Sequence, residues 1–172
     1  MERASSSDAF GLLGLPARFD LDPGVIEAAF FERQKQLHPD KHASAPAAER
    51  VAILSRSRAL NDAYQTLKKP TSRAEYLLER EGVTIGDNER IDPAIVMRVL
   101  EAREELAEAR AAGERGKVED LRAAMQDRRA SAIAELSEHF TAHALPEVKR
   151  VLIGLRYIDR YLEECDAALD ED

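Results

Sequence analysis

At 172 residues, with 34% charged and 44% apolar side chains and a formal net charge of -8, the chain suits one medium domain or two small ones with a real core. The acidic balance argues against non-specific nucleic-acid binding, which needs a cationic surface, and no apolar run approaches the ~18 residues of a membrane span. The single cysteine, Cys165, excludes an internal disulfide framework and a cysteine-based zinc site.

The start, "MERASSSDAF", lacks the apolar stretch of a signal peptide and is short for a transit peptide, so a cytoplasmic location is expected. Helical spacing recurs along the chain and strand alternation is nearly absent, which predicts an all-α fold. Ser7 or Asp8 caps a short first helix showing Phe10, Leu12 and Leu13, which ends before "GLP". Asp22-Pro23 is a cap followed by an N1 proline. It opens a second helix with Ile26, Ala29 and Phe30 inward, running to Leu37 before Pro39. A third helix spans about 46–68, where Ile53, Ser57, Leu60, Tyr64 and Leu67 step along one face. A fourth opens at Pro70 and holds "RAEYLLER". Its Arg73, Glu75 and Tyr76 are expected at a junction with the later helices.

Residues 81–91, with two glycines and no period, read as a linker. Asp92-Pro93 then repeats the cap-plus-proline signal. A helix runs to the break at "AAGERG", another covers about 117–143 with Val118, Leu121, Met125, Ala132, Leu136 and Phe140 inward, and Pro146 opens the last. Three long helices with short turns predict an antiparallel three-helix bundle over 92–172, with the acidic end "DAALDED" as a frayed tail.

The stretch "QLHPDKH" concentrates polar chemistry at the turn between the second and third helices. His38, Asp40 and His42 at i, i+2, i+4 could ligate a metal on a helix, as in a metal-dependent hydrolase. Pro39, however, biases His38 away from helical geometry and the triplet straddles a helix end. A His–Asp pair could also serve as base and orienter, yet no nucleophile or glycine-rich phosphate cradle accompanies it. A plain wet loop explains the proline. A docking tip explains more: one carboxylate on a stiff turn, flanked by Arg33, Lys35 and Lys41, suits a partner carrying arginine and acidic surface.

The motifs "DAFGLLGL", "FERQKQLHPDKH" and "ALNDAYQTLKKPTSRAEYLL" make residues 8–80 resemble a J domain, the module through which co-chaperones act on DnaK-type ATPases. An HPD tripeptide alone arises by chance on the order of one time in a hundred in a chain of this length; its helical frame makes the match specific. The resemblance implies that His38, Pro39 and Asp40, with Arg33, Lys35 and Lys41, engage the chaperone without chemistry of their own. "FGLLGLPARFDLD", "KKPTSRAEYLLEREG" and "LEAREELAE" extend the resemblance over nearly the whole chain to the HscB type, the co-chaperone of iron–sulfur cluster assembly. Its bacterial form fits best, since the cysteine-rich zinc segment of some eukaryotic members has no counterpart here.

On the bundle's first helix, Ile95, Val99, Ala102, Leu106 and Ala109 suffice as a core stripe at ~100° per residue. Val96, Met97 and Leu100 fall off it, beside Glu101, Glu104 and Glu108. On the last helix, Val148, Leu152, Leu155 and Leu162 form the core line, and Ile153, Tyr157 and Tyr161 a second. Such spare apolar residues either meet a partner or pack within the protein, since stripes in small bundles are often wide. The resemblance favours a partner: it implies that Val96, Met97, Leu100, Glu101, Glu104, Glu108 and Tyr157 bind the cluster scaffold IscU. It further implies a HscA/DnaK-type chaperone, a monomeric adaptor, and no cofactor, any cluster riding on the scaffold. A general J-domain co-chaperone with another client is the alternative.

Overall fold

A computed structural model of the chain describes residues 8–42, 44–86, 89 and 91–170, with the backbone alone at Pro39 and Asp40. It forms two compact units, Met1–Arg80 and Glu81–Asp172. The described residues are helices and their connections throughout, as the spacing requires.

In the N-terminal unit, α1 (Ala9–Leu13) starts at Asp8, whose Oδ1 accepts from the Gly11 N–H at 2.7 Å. That bond satisfies one of the orphan donors at a helix start. Gly14 closes the helix in the left-handed region, at φ 64°, where glycine carries no Cβ penalty. Helix α2 (Pro23–Gln36) is capped by Asp22, which accepts from the Gly24 and Val25 N–H groups, and it buries Ile26 and Phe30. A 3-10 turn (Pro39–His42) follows. Then comes α3 (Ala47–Lys68), burying Ile53, Leu60, Ala63 and Leu67.

The hairpin of α2 and α3 is set in register by Phe30, whose ring stacks on Tyr64 at 4.3 Å between centroids and 14° between planes. Counting six residues forward from Phe30 and six back from Tyr64 brings Gln36, the last residue of α2, level with Arg58. The N-terminal half of α3 therefore projects past the level at which α2 ends. Its burial agrees, since Ile53 is the only buried residue among 47–56.

Helix α4 (Pro70–Arg80) is tied into this unit at both ends. Arg73 is buried, donates from Nη1 to the Leu67 carbonyl at 3.1 Å, and lies over the Phe19 ring at 5.3 Å. Burial lowers its pKa, opposed by Asp20. The Tyr76 hydroxyl accepts from the Ala9 N–H at 3.0 Å, and Arg80 pairs with Asp8 at 3.0 Å while covering the Phe10 ring. The contacts described for Arg73 and Tyr76 thus lie inside the N-terminal unit.

The C-terminal unit consists of α5 (Pro93–Ala111), α6 (Arg115–Thr141) and α7 (Leu145–Asp170). Asp92 caps α5 through the Ala94 N–H at 2.9 Å. Of the expected core line on α5, Val99, Leu106 and Ala109 are buried, while Ile95 and Ala102 are half-buried. On α7 the expectation needs correcting. Ile153 and Tyr161 are buried along with Val148, Leu152 and Leu155, so two members of its second stripe are core. Helix α7 packs against both α5 and α6, and a helix serving two neighbours needs apolar residues on two sides. Tyr161 joins Leu106, Ala109, Val118, Cys165 and Ala168 in one cluster.

The acidic end differs too. Helix continues to Asp170 and Ala168 is buried, while Glu171 and Asp172 lie outside the described residues. The linker has an anchor: Glu89 accepts from the Gly86 N–H at 3.1 Å and pairs with Lys149 of α7 at 2.7 Å.

Candidate functional sites

The turn after α2 begins where Leu37 leaves helical geometry and folds back on itself. Its Lys41 N–H donates to the His38 carbonyl at 3.0 Å, and His42 Nε2 meets the Gln36 carbonyl at 2.9 Å. A carbonyl only accepts, so His42 donates and Nε2 carries the proton. Among the described residues no group of three or more metal-ligating side chains comes together.

His38 is exposed, as are Lys35 and Lys41. The Pro39 and Asp40 side chains lie outside the described residues, so what is fixed for them is the turn that carries them. Lys35 pairs with Glu32 at 3.0 Å with both groups about two-thirds exposed, a pair worth little in water. Arg33 is held differently. It falls on the same face of α2 as Ile26 and Phe30, and its guanidinium occupies the space beside Gly14, where a Cβ would meet its Cζ at 2.8 Å. The Arg33 charge therefore sits towards α1, on the core-side flank of the hairpin, while Lys35 and Lys41 face solvent.

The second site lies on α5 and α7. Met97 and Leu100 are 56% and 49% exposed, while Val99, Leu106 and Ala109 of the same helix are buried. Glu101, Glu104 and Glu108 are exposed around them, and Val96 and Tyr157 are half-buried. At ~100° per residue, Met97, Leu100, Glu101, Glu104 and Glu108 fall on the side of α5 opposite Leu106. Tyr157 belongs to α7, one turn before Tyr161.

Two contacts hold α5 on α7 at this site. The Tyr161 hydroxyl donates to the Ala102 carbonyl at 3.1 Å, and Arg103 makes a two-pronged pair with Glu164. Neither was legible as a site feature, since both need partners about sixty residues apart. Desolvation raises the Tyr161 pKa, and burial pushes the Cys165 thiol up as well, so Cys165 is an inert core residue. Sequence spacing also missed Val51 and Leu54, which are 67% and 71% exposed on α3.

Comparison with known proteins assigns both units. Residues 8–76 match the DnaJ domain family, and residues 91–166 match the family described as the HSCB C-terminal oligomerisation domain. A Co-chaperone protein HscB homolog from Ralstonia nicotianae is 36% identical over 97% of this chain and 99% of its own length. Another from Aliivibrio salmonicida is 32% identical over 94% and 96%. The solved chaperone HscB from Vibrio cholerae superposes with a TM-score of 0.86 at 30% identity, covering 95% of this chain and 98% of that one.

Proposed function

The chain belongs to the HscB family of J-domain co-chaperones of iron–sulfur cluster assembly, and we propose that it stimulates the ATPase of a HscA/DnaK-type chaperone while delivering an IscU-type scaffold to it. The family implies an Hsp70-type partner and a regulator's role. On this reading, His38, Pro39 and Asp40 dock on the chaperone, with Asp40 accepting a charge-assisted hydrogen bond from a partner arginine. Arg33, Lys35 and Lys41 steer an acidic surface towards the tip. Val96, Met97, Leu100 and Tyr157 supply the apolar contact for the scaffold, and Glu101, Glu104 and Glu108 pair with its cations. No cofactor of its own is called for, and the protein acts as a single copy in the bacterial cytoplasm.

The observation that carries the proposal is the exposure of Met97 and Leu100 on the side of α5 away from its buried residues Val99, Leu106 and Ala109. Apolar side chains held in water beside a row of carboxylates are what a partner surface requires. The test is a titration into the chaperone's ATPase assay with and without scaffold. Stimulation that rises further with scaffold is expected, and Asp40→Asn should abolish it with helicity and melting unchanged. Full stimulation by Asp40→Asn would remove the docking tip.

A further inference from the structure

Helix α3 carries a second apolar line that its core does not use. Ala47, Val51, Leu54 and Arg58 follow i, i+4, i+7, i+11, which places them on one side of a helix, roughly opposite Ile53, Leu60 and Leu67. Val51 and Leu54 are the two most exposed large apolar side chains among the described residues, at 67% and 71%. Isolated exposed apolar residues are ordinary on protein surfaces. Two on one line, four and seven residues from an exposed alanine, make a seam.

Its position distinguishes it. The Phe30–Tyr64 stack puts Arg58 level with the last residue of α2, so Leu54 and Val51 lie past the level of that helix's end, at the end of the hairpin where the chain turns. The seam begins five residues after the 3-10 turn. Its borders continue the charge of the turn: Arg50 and Arg58 are exposed on α3, in the same sign as Lys35 and Lys41. A partner face broad enough to cover this end of the hairpin would meet the tip and the seam together, and the same acidic character suits both.

We infer that Val51 and Leu54 form an apolar extension of the chaperone-docking tip. They would be covered by an apolar patch of the same Hsp70-type chaperone, whose bordering carboxylates face Arg50 and Arg58. The inference rests on the proposed docking role of the tip. The division of labour follows from the chemistry. Asp40 supplies a directional charged contact that acts on the chaperone's catalytic state. The seam supplies non-directional burial, which lengthens the encounter.

The experiment compares the full chain with Val51→Ser/Leu54→Ser and with Asp40→Asn, titrating each into the purified chaperone of the same assembly system. The seam variant should raise the half-saturating concentration about tenfold, as expected for losing part of two buried side chains, with the maximal stimulation and the melting temperature unchanged. Arg58→Glu should raise it as well and flatten its salt dependence. Half-saturation equal to the parent's overturns the inference, whatever Asp40→Asn does. Full stimulation by Asp40→Asn with weakened docking of the seam variant would remove the tip's role and leave the seam as the docking element. Sedimentation showing a parent dimer that the seam variant dissolves would assign the seam to a second copy and overturn the inference.

Discussion

Arg103 of α5 and Glu164 of α7 face each other as a two-pronged ion pair, Nε to Oε2 at 2.9 Å and Nη2 to Oε1 at 2.5 Å. The parallel hydrogen bonds fix orientation as well as distance. With both side chains a little over one-third exposed, solvent screens the pair, and its coupling should be about 1 kcal/mol. A double-mutant cycle with Arg103→Gln and Glu164→Gln in urea unfolding measures it, and the value should fall in molar salt. Coupling indistinguishable from zero would mean that this pair does not help to hold α5 in place.

Met97→Ser with Leu100→Ser tests the partner side of α5. Both residues are about half exposed, so little burial is lost on folding and stability should change by less than about 1 kcal/mol. Scaffold affinity should fall by roughly tenfold or more, and stimulation of the chaperone without scaffold should persist. Calorimetry and an ATPase titration separate the two. A drop of several kcal/mol in stability would make these side chains core.

Glu89 gives a pH dependence whose sign is fixed by its contacts. The hydrogen bond from Lys149, then that from the Gly86 N–H, hold its pKa below the ordinary 4.5. A carboxylate with a depressed folded pKa stabilises the fold above its ordinary value and loses that contribution as pH falls through the depressed one. The melting-temperature gap between the parent and Glu89→Gln should therefore be constant above about pH 5 and close as pH drops below 4.5. A gap that persists to the acid limit would show that the carboxylate's charge contributes nothing.

Much of this fold is legible in the sequence because its signals are local. Asp22-Pro23 and Asp92-Pro93 mark helix starts within one residue, and "AAGERG" marks a break, since caps and prolines act on adjacent backbone groups. The tip and the α5 row are read from spacing and resemblance together. What escaped depends on which neighbour a side chain meets. Ile153 and Tyr161 share a stripe with Tyr157, yet α7 lies between two helices, and that position is a property of the assembled bundle. Arg33 looks like one more cation of the tip until Gly14 is brought beside it. The length of α3 past α2, which exposes Val51 and Leu54, becomes visible only when Phe30 meets Tyr64.

Helix α5 has 19 residues, while α6 and α7 have 27 and 26 and share the most extensive helix–helix packing of the unit. At ~1.5 Å per residue, α5 is only about seven-tenths as long as the pair it rests on. The amides of α5 should therefore exchange with deuterium before those of the paired region, through openings that leave α6 and α7 in place. The helix proposed to offer its outer face to cargo is thus the one the bundle should release most easily, and cargo that seats there should slow its exchange more than any other helix's.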